Sequence, residues 1–381
     1  MRQRVEAFAR CTPGWYTDRV LRFIAGLLGR RPSSNEDRPS GARPESERTP
    51  ERPEPPLPDS VDPGFAPFAR VLGIVPAAPP PLSPEEEEED LRIAALVLEH
   101  FQKNRPGPAS APSLSLQILN LVASPRTGPA DLARLVQNDP ALAASLLHVA
   151  NSAYHRGVDE VESVRDAVTR IGLEEAGRVA GALAAKSLFS PRMRQEFAVY
   201  SARWSDLFTR AVTVATVSAS LAMRKPPARS DRAYLGGMLL DVGKSVALRS
   251  LSALRVDQAA APSDGRIDRI LERLHLEIGG DVHQEWNLPQ YLTVLCVRHH
   301  DDSVPAGAEF ADLHVVRFVS ALEDLRRSPD RTPHAQVELA QSAEVLGLDP
   351  LATRALLAEL RTTADRVART FSLDRSPRPA P

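Results

Sequence analysis

Apolar residues recur along most of this chain at spacings of three and four, and no stretch shows the convincing alternation of a half-buried strand. Near the start, Val20, Leu21, Ile24, Leu27 and Leu28 form a stripe, with Arg19, Arg22, Arg30 and Arg31 beside or opposite it. That pattern predicts a short amphipathic helix within residues 1–30, with Pro13-Gly14 breaking anything helical before Trp15. Residues 31–84 lose the stripe and collapse into Pro, Ser, Glu, Arg and Asp. Such a composition cannot bury enough apolar surface to offset its ordering entropy, so a disordered tether is expected. An island from Phe65 to Ile74 (with Phe68, Val71 and Leu72) stands out as able to dock locally or meet a partner.

At Ser83-Pro84-Glu85 the pattern changes. Ser is a good N-cap, Pro suits the first turn, and the acidic run Glu85 to Asp90 complements the helix dipole. That run therefore reads as a helix start before it reads as a cation site. Further helices are predicted from Pro112-Ser113, Pro129, Asp139-Pro140, Ser163, Glu174, Arg192, Asp231, Asp268 and Leu288-Pro289. Three more span Ala308 to Leu325, His334 to Leu346 and Pro350 to Phe371. Only short turns separate them, which predicts an all-α fold with one multi-helix domain over residues 85–371 and a disordered tail at 372–381.

Bulk properties narrow the function classes. With 47 Lys and Arg against 49 Asp and Glu, the net charge of -2 supplies no basic field, so no nucleic-acid partner is expected. No run approaches a membrane span, and the start Met1-Arg2-Gln3-Arg4 lacks the apolar segment of a secretory signal. Two cysteines in unlike contexts, Cys11 and Cys296, suit free thiols, and a cytoplasmic setting is expected. Membrane contact would fall to the N-terminal helix alone.

The candidate chemistry lies in a histidine-rich second half. His275, His283, His299 and His300 follow Gly237-Met238-Leu239-Leu240-Asp241-Val242-Gly243-Lys244. A hydrolytic metal centre gathers several His and carboxylate ligands from different helices and leaves a position open for water. An adjacent His-Asp pair would serve best, but here the pair is Leu240-Asp241, and leucine has no lone pair. Cys296 lies three and four residues before His299 and His300, yet within Leu292-Thr293-Val294-Leu295-Cys296-Val297 it reads as core and not as a nucleophile.

These segments, in this order, resemble the HDOD family, the non-catalytic relatives of HD-type metal phosphohydrolases. The likeness runs from about Ala111 to Thr370. Its strongest piece is Asp139-Pro140 through Asn151-Ser152-Ala153-Tyr154; Pro112 to Leu119, Val164 to Gly172, His275 to Gly279 and Trp286 to Pro289 add to it. The resemblance places Asp206, after Trp204, where relatives carry a histidine, and Leu240 where the enzymes carry the histidine of the His-Asp pair. Asp241, His275, His299 and His300 match in order, so the six positions form a vestigial HD site. What the resemblance implies is an adaptor for regulatory protein partners, with no catalytic residues, metal or cofactor. A phosphohydrolase of nucleotides or cyclic dinucleotides, and a nucleotide-like ligand sensor using the vestigial pocket, are the alternatives.

Overall fold

The computed structural model describes residues 57–105, 128–137, 161–173, 194–256, 262–330 and 334–370, with scattered residues between 117 and 181. Among the described residues the fold is all-helical and contains no strand. The predicted helix of residues 1–30, the tether over 31–56, Ser152 to Tyr154 and the tail at 372–381 lie outside them.

The order is α1 (Ala66–Leu72), α2 (Pro84–Lys103), α3 (Pro129–Val136), α4 (Val164–Ile171), α5 (Arg194–Arg224), α6 (Ser230–Leu239) and α7 (Val242–Val256). It continues with α8 (Asp264–Glu285), α9 (Gln290–Arg298), α10 (Ala311–Arg327), α11 (His334–Leu346) and α12 (Pro350–Thr370). Local chemistry sets these boundaries. The Ser83 hydroxyl accepts from the Glu86 amide at 3.2 Å while Glu86 accepts from the Ser83 amide at 3.0 Å, closing a capping box at the start of α2. The Ser163 hydroxyl caps α4 by accepting from the Asp166 amide at 3.1 Å, and Gly172 ends the helix at φ 89. Asp90, the last of the acidic run, is not a dipole partner alone. It is buried and binds Arg266 at 2.8 Å and Arg269 at 2.5 Å, tying α2 to α8.

Two apolar clusters build the interior. One gathers α2, α3, α4, α6, α7, α8, α9 and part of α5 around Phe101, Leu132, Trp204, Leu248 and Ile278. The other joins α1, the second half of α5, α10, α11 and α12 around Phe65, Leu221, Phe318, Leu339 and Leu360. Helix α5 contributes to both, and at the α6–α7 junction Leu239 belongs to the first cluster and Leu240 to the second. Asp241 follows directly, so it is set where the two cores meet.

Two glycines make the close approaches that this seam needs. A Cβ on Gly237 would stand 2.8 Å from Cα of Ala215, so α6 crosses α5 backbone to backbone. A Cβ on Gly243 would stand 2.1 Å from the His275 carbonyl oxygen, so α7 lies directly on α8. Both contacts bring helices of the first cluster against the seam that Asp241 occupies. Among the described helices none is long and apolar enough to cross a membrane.

The expectation of a disordered tether over 31–84 is corrected at its far end. Phe65 is fully buried, with Phe68, Leu72 and Ile74 beside it in the second cluster. Polar bonds pin the same stretch: Gln336 accepts from the Asp62 amide at 2.9 Å and donates to Ser60 O at 3.1 Å, and Asp330 accepts from the Ala77 amide at 2.8 Å. Composition averaged over the whole segment hides the apolar density concentrated near Phe65. Replacing Phe65 with Ala should cost about 3 kcal/mol, the lower end for a buried Phe, seen as a lower urea midpoint. A detached tether would leave that midpoint unchanged.

Candidate functional site

At the seam a chain of charged groups runs through the protein. Arg210 projects from α5, Asp241 from the α6–α7 junction, Lys244 from α7, and Ser320 and Asp324 from α10. The Arg210 guanidinium donates to the Asp241 carboxylate, to Ser320 Oγ at 2.7 Å, and to both oxygens of Asp324 at 3.0 and 2.8 Å. Lys244 Nζ lies 3.2 Å from Asp241 Oδ1 and 2.7 Å from Glu272 Oε2 on α8. Each oxygen of Asp241 thus faces its own cation. Burial opposes the Arg210 charge, but the carboxylates, Asp324 foremost, raise its pKa further. Asp324 is correspondingly held below the usual carboxylate range despite burial, by Arg210.

The histidines fall into two kinds. His275 and His299 are buried, with Nε2 atoms 3.4 Å apart. Each Nδ1 faces a backbone carbonyl at 2.7 Å, Glu272 O for His275 and Cys296 O for His299, which assigns the proton to Nδ1 and leaves both Nε2 lone pairs bare. Burial keeps both rings neutral, and neighbouring positive charge, Lys244 for His275 and His300 for His299, adds to this. His300 is the opposite case. Burial works against its charge, but Glu272 and Glu338 on either side push it up to about 9, with Nδ1 2.6 Å from Glu338 Oε1. His300 is thus held between two carboxylates, whereas His275 and His299 are anchored through backbone carbonyls, with Asp241 Oδ1 3.8 Å from His275 Nε2.

Of the six positions singled out in the sequence, four come together: Asp241, His275, His299 and His300. Leu240 is buried in the second apolar cluster and adds only packing. Asp206 is not with them. Its carboxylate is nearly half exposed and pairs with Arg327 at 3.3 Å. One turn further along α5, Arg210 takes the inward place. Cys296 is buried and its thiol pushed up to about 12 by that burial, so it offers no thiolate near neutral pH. Arg210, Glu272, Asp324, Glu338 and His334 were not read as site residues. Their one sequence signal is a charge set among apolar helix positions, as Arg210 stands between Phe208 and Ala211.

The residues present do not fit the metal centre of an HD-type enzyme. A cation at Asp241 would meet the fixed charges of Arg210 and Lys244. Each pair of unit charges at 4 Å costs about 4 kcal/mol at an effective dielectric of 20, and a divalent ion doubles that. With Leu240 and Asp206 donating nothing there, the site has lost ligands and gained its own positive charge.

The described residues thus form an all-helical domain with a buried histidine-carboxylate seam. The sequence profile of the HDOD domain matches residues 109–302, just over half of the chain, and the chain belongs to that family. Solved structures agree on the fold. An HDOD domain protein with unknown function from Geobacter sulfurreducens is 21% identical, with 74% of this chain and 99% of that one covered at a TM-score of 0.51. A Shewanella amazonensis SB2B protein, named provisionally as a metal-dependent phosphohydrolase, is 18% identical with the same coverages and a TM-score of 0.53. A Marinobacter aquaeolei VT8 protein, named provisionally for signal transduction, is 19% identical over 74% of this chain and 66% of that one, at 0.51. Among curated proteins nothing matches the chain.

Truncating Arg210 to Ala leaves Asp241 and Asp324 buried without their main cation. A loss of about 3–5 kcal/mol in chemical denaturation is expected, the cost of breaking a buried charge network from one side. The neutral histidines predict acid sensitivity. His283, buried to 1% exposure, has its pKa lowered by that burial to about 4, and His275 and His299 are also depressed. Below about pH 6.5 the unfolded chain takes up protons that the folded one refuses, so stability falls with pH, by at most about 1.4 kcal/mol per unit for each ring. His300, raised to about 9, acts the other way: its protonation adds stability as pH falls toward the ordinary histidine value of 6.5, and it adds no further slope well below that. Denaturation midpoints between pH 7 and pH 5 check this, and His283→Gln should flatten the profile.

Proposed function

We propose that this chain is a non-catalytic regulatory module of signal transduction, acting by binding a protein partner. The observation that carries the reading is the state of Asp241: Arg210 and Lys244 occupy the carboxylate that a hydrolytic metal would need. A guanidinium held by Asp241, Ser320 and Asp324 has no open coordination position and lowers no water pKa. It keeps the helices in register across the seam and leaves the shape of the domain as its product.

Membership of the HDOD family supports this role, as does the name of the Marinobacter relative, which refers to signal transduction. The partner is taken to be protein, because the net charge of -2 gives nucleic acid no field to follow. Input through the residues that precede position 57 would act through a high effective concentration near the domain.

The test is a hydrolysis assay on the full chain with Mn2+ or Fe2+ and a panel of nucleotides and cyclic dinucleotides. No turnover above buffer is expected, for the native chain and for Asp241→Asn alike. Turnover that Asp241→Ala abolishes would establish a phosphohydrolase and overturn the proposal. A nucleotide that raises the melting temperature without being hydrolysed would point instead to a ligand sensor.

A further inference from the structure

Beside the seam lies a second group of side chains that the charge network leaves only half used. Glu272 on α8 divides its carboxylate: Oε2 takes Lys244 at 2.7 Å, while Oε1 faces two imidazoles, His300 Nε2 at 3.2 Å and His334 Nε2 at 3.8 Å. The two rings meet edge to face with centroids 4.5 Å apart. Both Nε2 atoms are enclosed, and Glu272 Oε1 is the carboxylate oxygen that each of them faces. We propose that Glu272 Oε1, His300 Nε2 and His334 Nε2 form a binding site for one divalent transition-metal ion of the zinc class.

Geometry, orientation and charge each support the site. Ligand atoms about 2.0–2.1 Å from a tetrahedral ion stand about 3.3 Å from one another, and the two distances to Oε1 bracket that value. All three donor atoms lie within 4.8 Å of one another, so closing on an ion requires only side-chain adjustment. Glu338 accepts from His300 Nδ1 at 2.6 Å, which orients the ring with Nε2 toward Glu272. A carboxylate behind a histidine is the usual support for a metal ligand. Two imidazoles and a carboxylate suit zinc and its neighbours, and leave a fourth position for water. Glu272 and His334 are each about one-third exposed, so an ion has a route in.

Charge also separates this site from the neighbouring pair His275 and His299, whose Nε2 atoms face each other nearby. That pair is closed off from solvent, and the carboxylate beside it, Asp241, is already neutralised by Arg210 and Lys244. Around His300, by contrast, two carboxylates, Glu272 and Glu338, flank the ring directly, with Lys244 on the far oxygen of Glu272 and Arg317 and Arg210 acting from further off. An ion entering there displaces the proton that His300 carries between them, so binding releases a proton and weakens as pH falls.

The experiment is calorimetric titration of the full chain, stripped of metal, with Zn2+, and with Co2+ as a spectroscopic probe of coordination. One equivalent should bind, with the visible absorption of a four-coordinate Co2+ site. His334→Ala and Glu272→Gln, both at partly exposed positions, should each weaken binding by more than about tenfold, and Glu338→Gln by about tenfold through loss of orientation alone. His275→Gln and Asp241→Asn, checked for native helicity, should keep the affinity. The proposal is overturned if the native chain binds no Zn2+. It is also overturned if binding survives His334→Ala but is lost in His275→Gln, which would place the ion at the seam.

Discussion

The buried ion pair between Arg210 and Asp241 is the constraint on which the rest of this structure depends. Two charges taken out of water cost several kcal/mol each, and their attraction offsets this only when every remaining donor and acceptor is met. Here the condition is met from three directions. Asp324 and Ser320 complete the guanidinium, Lys244 takes the second oxygen of Asp241, and Glu272 takes Lys244 in turn. Because these groups come from α5, α7, α8, α10 and the α6–α7 junction, the network can form only with both apolar clusters assembled and correctly placed.

The same network decides what the site can do. A metallohydrolase keeps its carboxylates available to a metal that can exchange water. Here the available positive charge is covalently part of the chain, and it neither exchanges ligands nor activates water. His275 and His299 keep their bare nitrogens beside it, but without a free carboxylate they are ligands with no counter-charge. Further out, Glu272 and Glu338 flank His300, and Glu272 shares its carboxylate between that ring and Lys244.

Much of this was legible in the sequence, and the failures have physical causes. Helix starts at Ser83 and Ser163 were readable because a cap is a local device spanning four residues. Asp241, His275, His299 and His300 were readable because their order along the chain carries the family resemblance. Arg210 was passed over because its partners Asp241 and Asp324 lie 31 and 114 residues away, and no local spacing records such a meeting. The resemblance points to Asp206, whereas one turn of helix puts Arg210 inward and leaves Asp206 paired with Arg327 nearer the surface. The Phe65 island stands out in the sequence, but the composition averaged over 31–84 places it inside a disordered segment, whereas its few buried aromatic and aliphatic side chains outweigh the polar surrounding.

The most direct test of this account is a double-mutant cycle on Arg210→Met and Asp241→Asn, with stability measured in buffer containing chelator. If the pair organises the seam, each single change is strongly destabilising and the double mutant recovers much of the loss, giving a coupling energy well above about 1 kcal/mol. Additive effects with coupling near zero would show that Arg210 and Asp241 do not depend on each other, and that something other than their ion pair holds the seam together.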